Sequence, residues 1–302
     1  MATMNGIDIS NHQKNMDLAK VLKDTKTQFV IVKVTEGTNF VDAYCDKFFQ
    51  IARKAGKCVG FYHFARPEYN TAKAEAEFFW KHAKNYFGIG IPVLDWESAD
   101  KWNVAWAKEW LDTIYKLSGI RPMIYMSETS CCNAYNWSSV ANAGYGLWVA
   151  KYRDYGIDNN YDMSTAGSAP VVKWWKNYAM WQWTSVGRLT GYSGNIDCNI
   201  FYGDAAQWQK FVTSGSSDSG KQSSSVYSYV NLNAKLPVLR KGAKGNAVKL
   251  VQMIVGATQD SDFGQKTEDA VKAWQRAHGL TADGVVAIKT WTVMLQWLAT
   301  VK

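Results

Sequence analysis

The chain has 302 residues, 47% of them hydrophobic and 20% charged, which is typical of a soluble globular protein with about two domains. Its formal net charge of +8 favours an anionic polymer such as nucleic acid, a membrane surface or a bacterial wall, without choosing among them. No apolar run approaches the length that a bilayer requires, which argues against a membrane-spanning protein.

The cysteines and the first residues bear on the cellular compartment. The five cysteines are odd in number and have no Cys-x-x-Cys spacing, which argues against both a disulfide framework and a zinc knuckle. We expect reduced, partly buried thiols. Residues 1–8 contain neither a basic nor an apolar segment, so we expect no signal peptide and synthesis in the cytoplasm.

Eight strand-like runs precede the serine-rich segment at residues 213–225. They are short apolar segments bounded by turn residues, at residues 5–10, 29–35, 59–64, 91–97, 123–127, 147–152, 179–184 and 196–201. Helical periodicity predicts helices between the early runs, at residues 42–54, 71–86, 103–118 and 128–135. After the sixth run, the connections are rich in Gly, Asn and Ser and show no clear helical pattern.

Strands that alternate with helices predict an α/β fold with a parallel barrel. We expect a reduced TIM-like β/α barrel of eight strands, because few helices follow the later strands. Functional groups in such barrels lie at the carboxyl ends of the strands. The acids of the predicted strands are therefore the first candidates for a functional site.

The segment at residues 90–97 (GIPVLDWE) ends the fourth predicted strand with two acids. Side chains two residues apart on a strand point the same way, so Asp95 and Glu97 are predicted to project together. Two neighbouring carboxylates resist ionising at once, so one pKa rises and a proton donor survives near neutral pH. Glycosidases use such a pair. The alternative for an isolated segment of this kind is a pair of solvated acids.

Two further acids belong to the first and last predicted strands. These strands are neighbours in a closed barrel, so Asp8 and Asp197 are predicted to lie close together and to join Asp95 and Glu97. Lys33 points into the same end of the barrel as these acids if its strand faces inward at that position. Neutralising Lys33 is then an alternative role for Asp8 or Asp197.

The second part of the chain follows a serine-rich segment. Residues 213–225 contain seven serines and no large apolar residue, which predicts a flexible linker, placed at residues 213–228. Residues 229–302 carry ten Lys or Arg and five Asp or Glu, so they are the more basic part by density. Apolar periodicity predicts three helices there, at residues 246–255, 265–277 and 291–298. We therefore predict a barrel domain at residues 1–212 and a small three-helix domain at residues 229–302.

Five segments of the barrel domain resemble glycoside hydrolase family 25, the lysozymes of phage endolysins and of fungal and bacterial muramidases. They are residues 4–10 (MNGIDIS), 29–37 (FVIVKVTEG), 60–65 (GFYHFA), 92–97 (PVLDWE) and 181–183 (WQW). The blocks follow the family's order and span roughly residues 4–211.

The basic tail resembles the small peptidoglycan-binding repeat of wall hydrolases. The resemblance is carried by residues 239–248 (LRKGAKGNAV), Phe263-Gly264, residues 270–275 (AVKAWQ), Asp283-Gly284 and Thr290-Trp291. The chain departs from the repeat at Ser261 and Ala287, where that family often has Gly. The two resemblances together imply a phage or prophage endolysin.

The resemblance to family 25 implies hydrolysis of the β-1,4 bond from N-acetylmuramic acid to N-acetylglucosamine. Glu97 is then the general acid, and Asp95 stabilises the charge at the anomeric carbon or orients the substrate's 2-acetamido group for internal attack. Asp95 as a direct base on water, with inversion, is an alternative that the sequence leaves open. Asp8 and Asp197 would complete the catalytic set by tuning pKa values or by binding sugar hydroxyls.

Substrate contacts are also carried over from the resemblance. Tyr62, Tyr125, Trp148 and Gln182 are expected in the groove together with Lys33, and each of these four has core packing as its alternative. His63, a lone histidine on a strand, is predicted to be a core residue. The other histidines are scattered, so we expect neither a metal site nor a cofactor.

Two other classes of protein compete with a lysozyme. One is a non-catalytic wall-binding protein, against which the set of four acids counts. The other is a chitinase-like glycosidase, which also ends a barrel strand in Asp-x-Glu but typically has two further Asp upstream, where this chain has apolar residues. We expect a monomer that acts at the bacterial cell wall, with peptidoglycan and anionic wall polymers as partners and neither nucleic acid nor a membrane.

Overall fold

The computed structural model describes residues 2–153, 156–162, 164, 166–213 and 237–298. The chain forms two compact units, Met1–Gln222 and Ser223–Lys302. The linker predicted at residues 213–228 lies outside the described residues apart from Thr213, so its flexibility stays a prediction. Within the described ranges, no helix combines the length and the apolar character needed to cross a membrane.

The first unit is built on a closed β-barrel. Its strands are β1 (Met4–Ile9), β2 (Thr27–Glu36), β3 (Phe40–Val41), β4 (Cys58–Phe64), β5 (Ile91–Asp95), β6 (Met123–Ser127), β7 (Gly146–Ala150), β8 (Asp158–Asn159), β9 (Met180–Leu189) and β10 (Tyr192–Phe201). All but β3 and β8 form the barrel, which closes because β1 pairs with both β2 and β10. The prediction of an eight-stranded barrel is confirmed.

Helices accompany the strands of the first unit. They are α1 (Leu18–Asp24), α2 (Cys45–Lys54), α3 (Ala72–Ala83), α4 (Val104–Ser118), α5 (Ser138–Asn142) and α6 (Ala205–Thr213). Side-chain oxygens of Asp17, Thr71 and Asn103 accept from backbone N–H groups at the starts of α1, α3 and α4. The helix predicted at residues 128–135 is instead a short π-helix, Glu128–Cys132.

The direction of the last strand differs from the prediction of a parallel barrel. β10 runs antiparallel to both β9 and β1, whereas the other barrel pairs are parallel. β9 and β10 are joined only by Thr190 and Gly191, and Gly191 has a φ of +95°. So short a connection makes a hairpin, because a parallel pair needs a crossover of a dozen residues or more.

The inward side chains change from apolar to polar along the barrel. On β5, Ile91 and Val93 belong to the barrel core and Asp95 follows them at the carboxyl end. On β2, Phe29 and Ile31 precede Lys33 in the same way. Because inward positions recur every second residue, each strand delivers its polar side chain to the same end.

The apolar end of the barrel is closed by a helix that the sequence did not predict. Trp208 of α6 is fully buried, with its ring centroid 4.8 Å from that of Phe29 and 5.0 Å from that of Phe201. Gly6 makes room for this packing, since a Cβ atom there would lie 2.3 Å from the Phe29 ring. Packing at this end fixes the strands that carry the acids at the other.

The second unit contains the three predicted helices, α7 (Asn246–Ile254), α8 (Gln265–Ala277) and α9 (Ile288–Leu298), and α9 begins earlier than predicted. Its core includes Val251, Phe263 and Trp291. The Trp291 indole N–H donates to the carbonyl oxygen of Pro237 at 2.9 Å, which ties the segment before α7 to α9.

A buried glutamine on α7 holds the loop that follows this helix. The Gln252 amide nitrogen donates to Asp260 Oδ1 at 2.7 Å, to the Asp262 carbonyl at 2.9 Å and to Thr267 Oγ1 at 3.0 Å. The Gln252 amide oxygen accepts from the backbone N–H of Ser261 at 3.0 Å. One side chain therefore fixes the loop and the start of α8 together.

The same arrangement occurs again one helix later. The Gln275 amide nitrogen donates to Asp283 Oδ1, the Val285 carbonyl and Thr290 Oγ1, and its oxygen accepts from Gly284 N–H at 2.9 Å. The second unit is therefore an internal repeat of a helix and a loop. Ser261 and Gly284 occupy equivalent positions, with φ angles of +65° and +73°.

The repeat predicts that Ser261→Gly stabilises the second unit. A left-handed backbone is strained for Ser but not for Gly, so we expect a gain of about 0.5–1 kcal/mol after the larger chain entropy of Gly is subtracted. This gain is measured by hydrogen exchange of the full chain, which should be slower in peptides from residues 246–294 of Ser261→Gly than in the same peptides of the parent chain. Ser261→Ala is the matched control and should give no gain; equal protection in both variants would contradict the expectation.

Candidate active site

A cavity of about 340 Å³ lies at the carboxyl ends of the parallel strands. All of the predicted site residues line it: Asp8, Lys33, Tyr62, Asp95, Glu97, Tyr125, Trp148, Gln182 and Asp197. The sequence analysis missed other lining residues, namely Ile9, Ser10, His12, Gln13, Phe64, Tyr152 and Ser185. The structure therefore brings the predicted residues together, while their roles stay predictions.

The burial of Trp96 sets the direction of the two acids on either side of it. Trp96 is buried outside the barrel, where its ring centroid lies 5.3 Å from that of Trp106 and its indole N–H donates to the Lys101 carbonyl at 3.2 Å. Asp95 and Glu97 consequently face the cavity. β5 ends at Asp95, so Glu97 lies just beyond the strand and not within it as predicted.

Asp95 is buried with one carboxylate oxygen unsatisfied. The residue is 7% exposed, and Oδ1 has no hydrogen-bond partner among the residues that the structure describes. Burial raises the pKa of Asp95 well above its usual value, and the charges of Glu97 and Asp8 raise it further. The cavity thus contains an acceptor that a ligand N–H or O–H group could satisfy.

Glu97 has a different environment, at the rim of the cavity. Its side chain is exposed to solvent, yet the protein around it still raises the pKa of its carboxyl group through desolvation. The charges of Lys101, Lys33 and Arg66 act in the opposite direction and lower this pKa. The outcome is a raised pKa, as a general acid near neutral pH requires.

Asp8 and Asp197 are direct partners across the antiparallel pair of β1 and β10. Residues that face each other in this way project from the same side of the sheet. Burial raises the pKa of Asp8 from 3.8 to about 7, although hydrogen bonds from Asn199 and Gln182 oppose the shift. Burial and the Asp8 charge raise the pKa of Asp197 well above its usual value. The predicted proximity is confirmed.

Gln182 connects Asp8 to two tyrosines on the far side of the cavity. Its amide nitrogen donates to Asp8 Oδ2 at 2.8 Å. Its amide oxygen accepts from the hydroxyl group of Tyr125 at 2.6 Å and also from that of Tyr152. Both ends of the amide are used, which fixes its orientation and leaves the two tyrosines as donors toward Gln182.

Asn199 is a site residue that the sequence analysis missed. Its amide nitrogen donates to Asp8 Oδ2 at 2.7 Å, and its oxygen accepts from the Trp148 indole N–H at 2.9 Å. Trp148 in turn packs edge-to-face against Tyr125, with the ring centroids 4.7 Å apart. The signal was available in the sequence, because Asn199 follows Asp197 by two residues and so has the same inward direction.

Lys33 enters the cavity but pairs with none of the four acids within the described ranges. Its ammonium group lies 2.5 Å from Glu36 Oε2, and Phe40 and Phe64 place their ring centroids 5.2 and 5.0 Å from it. The alternative that Asp8 or Asp197 neutralises Lys33 is therefore wrong. Glu36 does so, because it projects from the end of the same strand.

His63 is a core residue, as predicted. It is fully buried between Thr35 Oγ1, 2.8 Å from Nδ1, and Glu75 Oε2, 2.7 Å from Nε2, and it stacks on Trp110. Burial lowers the pKa of this histidine. Across the part of the chain that the structure describes, no group of three or more His, Cys, Asp or Glu side chains has the arrangement of a metal site.

The raised pKa of Asp8 predicts a pH-dependent cost in stability. Between pH 3.8 and about 7 the native state holds a proton that the unfolded chain has released, so stability falls as the pH rises through this window. Asp8→Asn removes this dependence, and we expect it to gain on the order of 1–2 kcal/mol over the parent chain by pH 8. Urea denaturation at pH 4 and pH 8 measures the gain.

The control for this comparison is Glu109→Gln, which changes an exposed acid on α4. Its stability should follow the parent chain at both pH values. A gain for Asp8→Asn that is as large at pH 4 as at pH 8 would contradict the explanation by proton linkage.

Comparison with known families agrees with this geometry. Residues 7–192 match the glycosyl hydrolases family 25, and residues 246–294 match a peptidoglycan binding domain. Lysozyme M1 of Streptomyces globisporus is 29% identical over 67% of this chain and 69% of its own.

Solved structures give the same assignment. A family 25 lysozyme from Aspergillus fumigatus is 27% identical with a TM-score of 0.53, over 71% of this chain and all of its own. The CTP1L endolysin is 27% identical with a TM-score of 0.55, over 68% of this chain and 69% of its own. The chain therefore belongs to glycosyl hydrolase family 25 and is a glycoside hydrolase of the lysozyme class, with a peptidoglycan-binding domain in its second half.

Proposed function

We propose that the chain is an N-acetylmuramidase that hydrolyses the β-1,4 bond between N-acetylmuramic acid and N-acetylglucosamine in peptidoglycan. The observation that carries this proposal is the convergence of Asp8, Asp95, Glu97 and Asp197 on one cavity, with a raised pKa for each. Two carboxyl groups in unlike environments, one at the rim and one buried, provide separate acid and stabilising roles.

Glu97 is the proposed general acid. It protonates the glycosidic oxygen as the bond to the anomeric carbon breaks, and in the second half of the reaction it takes a proton from the water that attacks this carbon. Its position at the solvent-exposed rim supports this role, because both the leaving sugar and the water must reach it.

Asp95 is proposed to act on the 2-acetamido group. Its unsatisfied Oδ1 would accept the amide N–H and so orient the acetamido oxygen for attack on the anomeric carbon. A carboxylate at this position also stabilises the positive charge that develops there. Asp95 as a direct base on water is the rival mechanism, and it differs in giving the inverted anomer, which NMR of the first-formed product distinguishes.

The remaining cavity residues are proposed to bind the sugars. Tyr62, Tyr125 and Trp148 line the cavity and are proposed to offer aromatic surface to a sugar ring. Asp8 is already held by two amides, so its proposed role is to fix Gln182 and to tune the other acids. Asp197 and Lys33 both line the cavity and are proposed to contact sugar hydroxyls.

Digestion of purified peptidoglycan tests the proposed bond specificity. The products are reduced with borohydride and their new reducing ends are identified by mass spectrometry. Reduced N-acetylmuramic acid is the expected product. Reduced N-acetylglucosamine would show that the enzyme hydrolyses the other glycosidic bond, as a chitinase-like glycosidase does. Binding to peptidoglycan without new reducing ends would indicate a non-catalytic wall-binding protein.

Glu97→Gln is expected to lower kcat/KM by roughly 10²–10⁴-fold, because the amide cannot donate a proton to the leaving oxygen. The rate of reducing-end release measures the loss, and circular dichroism checks the fold. Asp100→Asn, an acid-to-amide change in the same loop, is the control and should keep most of the activity. Lysis by Glu97→Gln at a rate close to that of the parent chain would show that Glu97 is not the general acid.

We also propose that the chain serves as a phage or prophage endolysin and acts at the bacterial wall. The similarity to the CTP1L endolysin and the match to a peptidoglycan binding domain support this. The basic domain predicted at residues 229–302 would hold the barrel on the wall through the linker predicted at residues 213–228, which raises the local concentration of the enzyme.

Removal of residues 213–302 should separate wall retention from catalysis. We expect at least about tenfold less protein to sediment with purified walls, because one of two linked contacts is lost. The rate on soluble peptidoglycan fragments should stay within about twofold, since the cavity lies wholly in the first unit. Equal sedimentation of the truncated and full chains would refute the anchoring role.

A further inference from the structure

The only charged partner of Lys33 within the described ranges is an acid outside the catalytic set. Lys33 is buried and lines the cavity together with Asp8, Asp95 and Glu97, yet its ammonium group bonds to Glu36 Oε2 at 2.5 Å. A buried ammonium group is stabilised by the nearest carboxylate it can reach. The pairing with Glu36 therefore decides where the positive charge lies in the cavity.

Glu36 holds a second cation with its other oxygen. Its Oε1 accepts from Arg66 Nε at 2.8 Å and from Arg66 Nη2 at 2.5 Å. The guanidinium carbon of Arg66 and the ammonium nitrogen of Lys33 lie 4.6 and 5.0 Å from the centroid of the Phe64 ring. One carboxylate and one aromatic ring thus hold both cations at the edge of the cavity.

This arrangement is anchored from outside the barrel. The backbone N–H of Arg66 donates to both carboxylate oxygens of Glu75, at 3.2 and 3.1 Å. Glu75 is fully buried and also bonds to His63 and to the Asn70 side chain. The Arg66 backbone is consequently fixed by α3, so its guanidinium group approaches Glu36 from a defined direction.

We infer that Glu36 is a positioning residue, which holds Lys33 and Arg66 away from the acids so that Glu97 keeps the proton that it donates. This inference rests on the proposed function of Glu97. Without Glu36, the buried ammonium group would have the cavity acids as its nearest partners, and an ion pair would hold them ionised. The charged groups that act on Glu97 are Asp8 from β1, Lys33 from β2, Arg66 after β4, Asp95 from β5, Lys101 in the following loop and Asp197 from β10. Glu36 pairs with both Lys33 and Arg66, and Glu68 pairs with Arg66 and accepts from the hydroxyl group of Ser98, the residue after Glu97.

Glu36→Gln tests the inference through the pH profile of kcat/KM on soluble peptidoglycan fragments. Glu97 works in its protonated form, so an ion pair with Lys33 moves the alkaline limb of the profile to lower pH. We expect a shift of about 0.5–1.5 pH units, with activity at the acid end retained. Glu77→Gln is the matched control, because Glu77 is an exposed acid of α3 that pairs with Lys73 and not with Lys33 or Arg66. It should leave the limb in place.

Rescue by further substitutions separates positioning from a merely structural role. Adding Lys33→Met and Arg66→Met to Glu36→Gln removes both cations, so the alkaline limb should return to the parent position or beyond it, although the rate itself falls. A limb that stays at lower pH in the triple variant would overturn the inference.

Titration of Glu97 by NMR, in chain labelled with ¹³C-glutamate, distinguishes failure of the inference from failure of the proposed function. A lower Glu97 pKa in Glu36→Gln together with the shifted limb is the expected result. A lower pKa with an unshifted limb would retain the positioning role and overturn Glu97 as the general acid. An unchanged pKa would overturn the positioning role.

Discussion

Four carboxyl groups and one ammonium group share the mouth of a closed barrel, and the structure depends on how their charges are compensated. A simple pairing of opposite charges would hold the acids ionised and remove any proton donor. The protein instead surrounds Asp8 with amide donors and gives Lys33 a separate acid, Glu36. Asp95 and Glu97 are left with raised pKa values, which is a costly state for a folded chain to maintain.

The barrel can tolerate that cost because its two ends differ. At the closed end, Phe29, Phe201 and Trp208 pack together, and Gly6 supplies the space that the Phe29 ring needs. Buried aromatic rings of this size contribute much of the hydrophobic stabilisation of a domain. The favourable free energy of packing at the closed end offsets the unfavourable electrostatic free energy of the acids at the other end. Enzymes commonly combine a stable scaffold with a destabilised active site in this way.

The sequence predicted those features that depend on local periodicity. The eight strands, the inward direction of Asp95 and the approach of Asp8 to Asp197 follow from apolar runs, alternation and barrel closure. Helix α6 was missed because its few apolar residues adjoin the serine-rich segment and give a weak pattern. The hairpin that reverses the last strand depends on a two-residue turn at Gly191, which the sequence analysis did not recognise as such.

The side-chain pairings could not be predicted in the same way. Asn199 and Asp8 are 191 residues apart in the chain, and their contact depends on the register of two strands. The choice of Glu36 over Asp8 as the partner of Lys33 depends on side-chain direction within the last residues of one strand. Periodicity reports the face on which a residue lies, but it does not report which of several acids on that face is nearest.

The unsatisfied oxygen of Asp95 links recognition to catalysis under the proposed function. Asp95 Oδ1 has no hydrogen-bond donor among the described residues, and a substrate amide N–H would supply one. The same contact would orient the acetamido oxygen toward the anomeric carbon. A sugar with a plain hydroxyl at this position lacks the reacting oxygen even where it can donate a hydrogen bond. Selection for 2-acetamido sugars would then arise in the chemical step itself and would need no separate specificity pocket.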